Sequence, residues 1–372
     1  MDLKKLRILI VGAGIAGLAL SCALRRRGCS AHVIERNVQW SDVGTGMYLP
    51  GNALRALRAL QIDADVERRG APIETQRFCD RRGHLLSEID LGSVWKEAGP
   101  CVAVHRVDLH AALREASDAS RVRMGVTLKA IVQDSESAIV HLSDDTQEQY
   151  DLVVGADGIR SAVRRLAFKD AGLRSLKQWS WRFVIPCPPQ ITTWSVLMNR
   201  ASACLMMPIG CGQAYCYVDL MGQRPPTNST NCLREVLADF EGPVISVGEA
   251  LESSVEIHAS QIEEVVLDGW SRGCVLLVGD AAHAMSPNMA QGAAMAVEDA
   301  LVLADCLSES PSVATAVSAY QTRRVPRVHR VLAMTHRRDR IRQLHPVLRN
   351  GLLRSFGDRV YRSHYQHLLT AP

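Results

Sequence analysis

The sequence predicts an α/β fold: a Rossmann-like dinucleotide-binding body, an inserted antiparallel β-sheet that forms an α+β insert, and a C-terminal helical segment. Three observations predict it. The chain opens on a strand, a glycine-rich turn and a helix. Two later apolar strands each run into a Gly-Asp pair. Between those strands the pattern turns β-rich near residue 175.

Leu6 to Val11 has strand length, Ile15 to Arg27 reads as a helix, and Ala31 to Ile34 as a second strand. Such a β-α-β unit must cross over, which favours a parallel sheet. Gln76–Asp80 and Leu85–Ile89 flank an Arg-Arg-Gly turn and predict a hairpin, and three short strands are expected between Lys129 and Ala156. Arg182–Ile185, Thr193–Met198, Ser202–Met207 and Ala214–Leu220 are β-rich runs broken by Pro and Gly, which marks the insert. Cys274–Val278 then reads as a buried strand, Gly292–Leu307 as an apolar helix, and 313–342 as a further helix. Residues 1–72, 98–174 and 265–330 would build the dinucleotide-binding domain, 73–97 and 175–264 a substrate domain, and 331–372 a basic helical tail.

With 47% hydrophobic and 22% charged residues in 372, the chain has the makings of a large core, which excludes disordered and collagen-like classes. Its net charge of +4 is unevenly spread: residues 321–372 carry twelve Arg against two Asp, and the remainder is mildly acidic. No basic groove interleaved with aromatics occurs, so no nucleic-acid partner is expected. The basic tail reads by default as a solvated helical cover, and it is also a candidate for weak contact with an anionic membrane surface. Eleven Cys without any C-x-x-C pair exclude zinc ribbons and thioredoxin chemistry, so no metal site is expected. Lys4, Lys5 and Arg7 before the uncharged stretch Ile8–Leu24 outline a signal peptide. Glycines within the stretch and Arg25-Arg26-Arg27 after it oppose that reading, so a cytoplasmic protein is expected.

Gly12-Ala13-Gly14-Ile15-Ala16-Gly17 follows a strand and opens a helix. The first glycine permits the tight turn, the second lets backbone approach a pyrophosphate, and the third packs helix on strand. The helix N-terminus offers free N–H groups to the phosphates. Glu35, 18 residues after Gly17, stands where an acidic residue accepts from a ribose hydroxyl. Asp157-Gly158 and Gly279-Asp280 sit at the carboxyl ends of strands, where open α/β sheets bind ligands. The glycine motif alone leaves FAD and NAD both open.

The succession GAGIAG, Glu35, VVGADGIRSAVRR (153–165) and GDAAHAMSPNMAQGAAMAVEDA (279–300) resembles the FAD-dependent aromatic hydroxylases of the p-hydroxybenzoate and salicylate hydroxylase type. VGTGMYLPGNAL (43–54) and WRFVIP (181–186) bring it nearest the alkyl-quinolone monooxygenases. The resemblance implies that Gly12, Gly14, Ala16, Gly17 and Glu35 hold the ADP half of FAD, with Arg36 beside the adenine. It implies that Arg106 reaches the phosphates, that Asp157 and Gly158 belong to a fingerprint shared by FAD and NAD(P)H, and that Gly279-Asp280 meets the ribityl chain. Pro287 and Gly292 would border the isoalloxazine ring. The implied activity is hydroxylation of a small aromatic substrate, phenol- or quinolone-like, through a flavin C4a-hydroperoxide formed from O2. NADH or NADPH would be a transient co-substrate, because a second glycine motif is absent from the sequence.

Alternation over 214–220 places Tyr215, Tyr217 and Asp219 on one strand face. Tyr215 is then a candidate substrate contact, Arg182 a candidate partner for a substrate anion, and His283 either a catalytic base or a loop-holding hydrogen bonder. A flavin-dependent epoxidase or halogenase on the same fold, or a non-catalytic flavin redox sensor, are the alternative functions. A monomer and a homodimer are both compatible with the sequence.

Overall fold

The computed structural model describes residues 1–40, 44–117, 121–134, 136–168, 172–222, 230–251 and 255–372. Val43, the first residue of the 43–54 motif, therefore lies outside the described residues.

The body is a six-stranded sheet ordered Ser271–Arg272, Val275–Leu277, Leu152–Gly155, Ile8–Val11, His32–Glu35 and Val122–Met124. All neighbours are parallel except the first pair. Ile8–Val11 and Leu152–Gly155 are buried at every position, on both faces, and this is why they read as apolar runs without alternation. Helices Ile15–Arg26 and Gly292–Glu309 pack on each other over this sheet.

The region between Lys129 and Ala156 holds four strands rather than the three expected. Leu128–Gln133, Ala138–Leu142 and Gln147–Tyr150 form a small antiparallel sheet, and Leu152–Gly155 joins the main one. Asp151 makes the break. Its carboxylate accepts from the Arg7 N–H at 2.7 Å and its own N–H donates to the Arg7 carbonyl at 2.9 Å, which docks the chain beside the first strand.

The insert is a seven-stranded sheet ordered His258–Val265, Leu173–Pro186, Gln213–Met221, Ser202–Gly210, Trp194–Met198, Thr75–Asp80 and Leu85–Asp90. It is antiparallel, as predicted, except where Trp194–Met198 lies parallel to Thr75–Asp80. Alternation gives it two unlike faces. Cys204, Met206, Cys216, Val218 and Phe183 pack against helices Thr230–Ala238 and Pro243–Ala250. Leu205, Met207, Tyr215, Tyr217 and Arg182 face the body across a cavity.

The last two helices, Val313–Gln343 and Pro346–Tyr365, correct the picture of a solvated cover. Arg324 is fully buried, Arg342 forms a two-pronged pair with Asp219, and Arg349 donates to the carbonyls of Asn199 and Met198 at 2.6 and 3.2 Å. Much of the basic charge is thus spent inside, tying these helices to the body and the insert. No helix among the described residues is long and apolar enough to cross a membrane.

Candidate active site

Three adjacent parallel strands end together, and each delivers part of one site. Ile8–Val11 delivers Gly12, whose positive φ of 105° suits glycine; a methyl there would stand 2.6 Å from the Ala156 carbonyl at the end of the next strand. Gly17 faces the turn itself, and a methyl there would overlap the Gly12 carbonyl oxygen. Gly14 is different, with open space within 4 Å of where its methyl would sit. The helix after it has no side-chain cap, so its first N–H groups face that space. Glu35 lies beside the turn, accepting from the Ala13 N–H at 2.9 Å and the Asn37 N–H at 2.9 Å. Arg36 is exposed next to it.

Leu152–Gly155 delivers Asp157. One carboxylate oxygen accepts from the N–H groups of Ala162 and Val163 at 2.6 and 3.2 Å, which fixes the turn into helix Ala162–Ala167. The other is buried without a protein partner. Val275–Leu277 delivers Gly279, at φ 58° and packed on Ala16, and then Asp280, which is exposed to the cavity. The following loop carries Pro287 and a left-handed Ala290 (φ 51°) into Gly292, the start of a second helix without a side-chain cap. An open glycine cradle, two uncapped helix N-termini and an orphaned carboxylate oxygen suit a ligand with a pyrophosphate and ribose hydroxyls. These residues fit FAD.

Behind the loop lies a fully buried polar network. Asp299 accepts from the Gly279 N–H at 2.9 Å, contacts His283 Nε2 at 2.6 Å and pairs with Arg324 Nε at 2.8 Å. Arg324 also reaches Glu298 at 2.7 Å, as does Arg327. Burial alone would push the Asp299 carboxyl up, but His283, Arg324 and the hydrogen bonds outweigh it and hold the pKa down at about 2. His283 is thus buried, turned toward Asp299 and absent from the cavity lining, an arrangement in keeping with the loop-holding alternative.

In front of the loop the cavity measures about 1000 Å³. Asp280, Pro287 and Gly292 line it from the body, Arg106 from the start of its helix, and Tyr215 and Arg182 from the insert. Gly46 explains how Tyr215 fits, since a methyl there would overlap the tyrosine ring. The guanidinium of Arg182 stands 5.8 Å from the Tyr217 ring centre and makes no ion pair among the described residues. Burial pushes the Tyr215 phenol up to about 12, with Arg182 opposing, so it is a hydrogen-bond donor at neutral pH.

A family model described as an FAD binding domain matches residues 5–335. The chain belongs to this FAD-binding family. The flavoprotein is 34% identical to 2-heptyl-3-hydroxy-4(1H)-quinolone synthase of Pseudomonas aeruginosa, over 98% of this chain and 97% of that one. It is 32% identical to aurachin C monooxygenase/isomerase of Stigmatella aurantiaca, over 91% of this chain and 90% of that one. In fold it matches Klebsiella pneumoniae HpxO complexed with FAD and uric acid, with TM-score 0.92, 22% identity and full coverage of both chains. The likeness to alkyl-quinolone monooxygenases expected from the motifs holds, as does the enzyme class, an FAD-dependent monooxygenase.

The structure brings Gly12, Glu35, Asp157 and Gly279 to the carboxyl ends of strands of one sheet and sets Tyr215 and Arg182 in one cavity with Asp280, Pro287, Gly292 and Arg106. Sequence reasoning missed the buried partners of Asp299 and the cavity wall made by Arg338, Tyr361 and His364 of the last two helices. The signal for the first was present. Two carboxylates inside an apolar helix pattern require buried cations, and the chain carries its surplus of arginine just downstream.

Proposed function

We propose that this monooxygenase hydroxylates an aromatic or heteroaromatic ring of the phenol or quinolone kind, using NADH or NADPH as the source of electrons. The observation that carries the reading is that Asp280, Pro287 and Gly292 share one cavity with Tyr215, Tyr217 and Arg182. The quinolone in the name of one relative supports the ring class. Bound FAD would supply the redox chemistry and the activated oxygen. Gly12, Gly14, Gly17, Glu35, Asp157 and Asp280 would hold it, with Arg36 beside its adenine and Arg106 near its phosphates.

The rest falls to the protein. Leu205, Met207 and Val196 give the cavity an apolar wall that keeps water from the reacting centre. Tyr215 donates to an oxygen on the ring and orients it. Arg182 stabilises that oxygen as an anion, and a deprotonated ring is richer in electrons and more easily oxidised. Arg182→Met should therefore lower kcat/KM about 10–100-fold, and Tyr215→Phe about tenfold, with FAD still bound. Steady-state NAD(P)H oxidation with a quinolone and a phenol panel measures this, and unchanged kcat/KM in both variants would remove the pair from the site.

The eleven cysteines, all without disulfide partners, suit a reducing compartment, and we place the protein in the cytoplasm. The C-terminal helix leaves Val347, Leu348 and Phe356 exposed at 72%, 65% and 53%, near the exposed Arg340, Arg354 and Arg359. Weak contact with an anionic membrane surface would use this face. Sedimentation with phosphatidylserine vesicles should be lost in the triple variant V347E/L348E/F356E, and equal sedimentation would dismiss the contact.

A further inference from the structure

The cavity does not end at the tyrosines. Beyond them it runs along the insert, past Val196, Met198 and Leu205 on one side and Leu353 and Val360 on the other, to a chamber under the C-terminal helix. There the tilted rings of Tyr48 and Trp194 meet with centres 4.2 Å apart, and those of Phe78 and Tyr361 at 6.5 Å. The Arg338 guanidinium stands 5.9, 5.5 and 5.6 Å from the ring centres of Phe78, Tyr361 and Tyr365.

Several polar side chains of this chamber are buried and make no hydrogen bond, among them a donor-only indole. Trp194 Nε1, Gln76 Oε1 and His364 Nε2 make no hydrogen bond, at exposures of 3%, 1% and 1%. A buried polar atom left unpaired is unfavourable, because it has given up its bonds to water. Arg338 makes one hydrogen bond, to the Tyr365 hydroxyl at 3.1 Å, and no ion pair among the described residues. Its neighbours differ: Arg342 is spent on Asp219 and Arg349 on backbone carbonyls. An indole N–H and a guanidinium are donors only, so together they call for an oxygen acceptor. Burial, with Arg338 and Arg337 adding to it, lowers the His364 pKa to about 4, which leaves its ring neutral at pH 7 and able to complete either kind of bond.

We propose that the chamber is a second subsite, for the far end of a substrate whose ring lies at the flavin. The apolar stretch takes a hydrocarbon arm, and Arg338 with Trp194 takes a carboxylate or carbonyl oxygen at its tip. This rests on the reading of the cavity as the substrate site and adds to it a class of substrate: an aromatic ring with an arm ending in an oxygen acceptor.

The test uses two 4-quinolones with arms of equal length at position 2, one ending in methyl and one in carboxylate. Each is titrated calorimetrically into the FAD-loaded protein and then assayed for NAD(P)H oxidation. The carboxylate should bind about tenfold more tightly, the worth of one charge-assisted contact. Arg338→Met, which keeps the apolar stem against the rings, should bring the two within about twofold, and Trp194→Phe should shrink the preference about threefold. Flavin occupancy and thermal unfolding show whether each variant is folded. Equal binding of the two probes, tighter binding of the methyl probe, binding of neither, or a preference that survives Arg338→Met would overturn the subsite; a chamber merely filled by water gives the first of these. A preference that depends on Arg338 without stimulated NAD(P)H oxidation keeps the subsite and instead counts against the monooxygenase reading.

Discussion

Replacing Arg324 by Met should destabilise the protein by about 3–5 kcal/mol, the usual cost of taking one partner from a buried ion pair. Arg324 is fully buried between Glu298 and Asp299, both also fully buried, with a third contact to the Met295 carbonyl at 3.1 Å. Without the guanidinium two carboxylates face each other's neighbourhood in an apolar helix, and Arg327 reaches only Glu298. Asp299 also accepts from the Gly279 N–H, so the loss reaches the residue before Asp280. The expected result is a large drop in thermal midpoint together with weaker FAD retention. The pH dependence has a definite sign. The folded-state pKa of Asp299, about 2, lies below its ordinary 3.8, so its contribution is complete above about pH 4 and is lost as pH falls through 2. In Arg324→Met that carboxyl titrates higher, and the acid loss of stability should begin at higher pH. Denaturant unfolding of both proteins from pH 3 to pH 8 measures it; parallel curves would contradict the network.

The second large effect is a contrast between two glycines of one motif. Gly17→Ala drives a methyl into the Gly12 carbonyl oxygen, with the Ile10 side chain 3.2 Å away. Neither backbone can yield without moving the helix off the strand. Overpacking of this kind costs about 1–3 kcal/mol and more where the neighbour is backbone. Gly17→Ala should lose stability even without FAD. Gly14→Ala meets open space within 4 Å, so its FAD-free form should unfold like the parent. Its methyl intrudes only where the cofactor's pyrophosphate would lie, and FAD affinity should fall about tenfold or more. Melting curves with and without FAD separate the two. Equal FAD binding by Gly14→Ala would sink the assignment of the glycine turn.

How much of this was legible follows from distance along the chain. The glycine turn and Glu35 were readable because the strand, turn and helix that give them meaning lie within about 30 residues, the size of one βαβ unit. The face shared by Tyr215 and Tyr217 followed from a period of two. The extra strand was hidden because Gln147–Tyr150 is mostly polar and abuts Leu152–Gly155, and the pairing of Asp151 with distant Arg7 divides the two. The C-terminal helical segment was misread for the same reason. Its arginines look solvated until Asp219 and the carbonyls of Met198 and Asn199 are seen against them. The chamber at Arg338 and Trp194 joins residues 144 positions apart, and no local pattern announces it.

In the proposed reaction Asp280, Pro287 and Gly292 would present bound FAD to an aromatic ring held by Tyr215 and Arg182. It is tested most directly by supplying the purified flavoprotein with ¹⁸O₂, NADH or NADPH, and a phenol and quinolone panel, and by weighing the products. Faster NAD(P)H oxidation with at least one ring compound is expected, with a product carrying one heavy oxygen atom on the ring. A product that depends on halide, or no stimulated oxidation by any member of the panel, would contradict it.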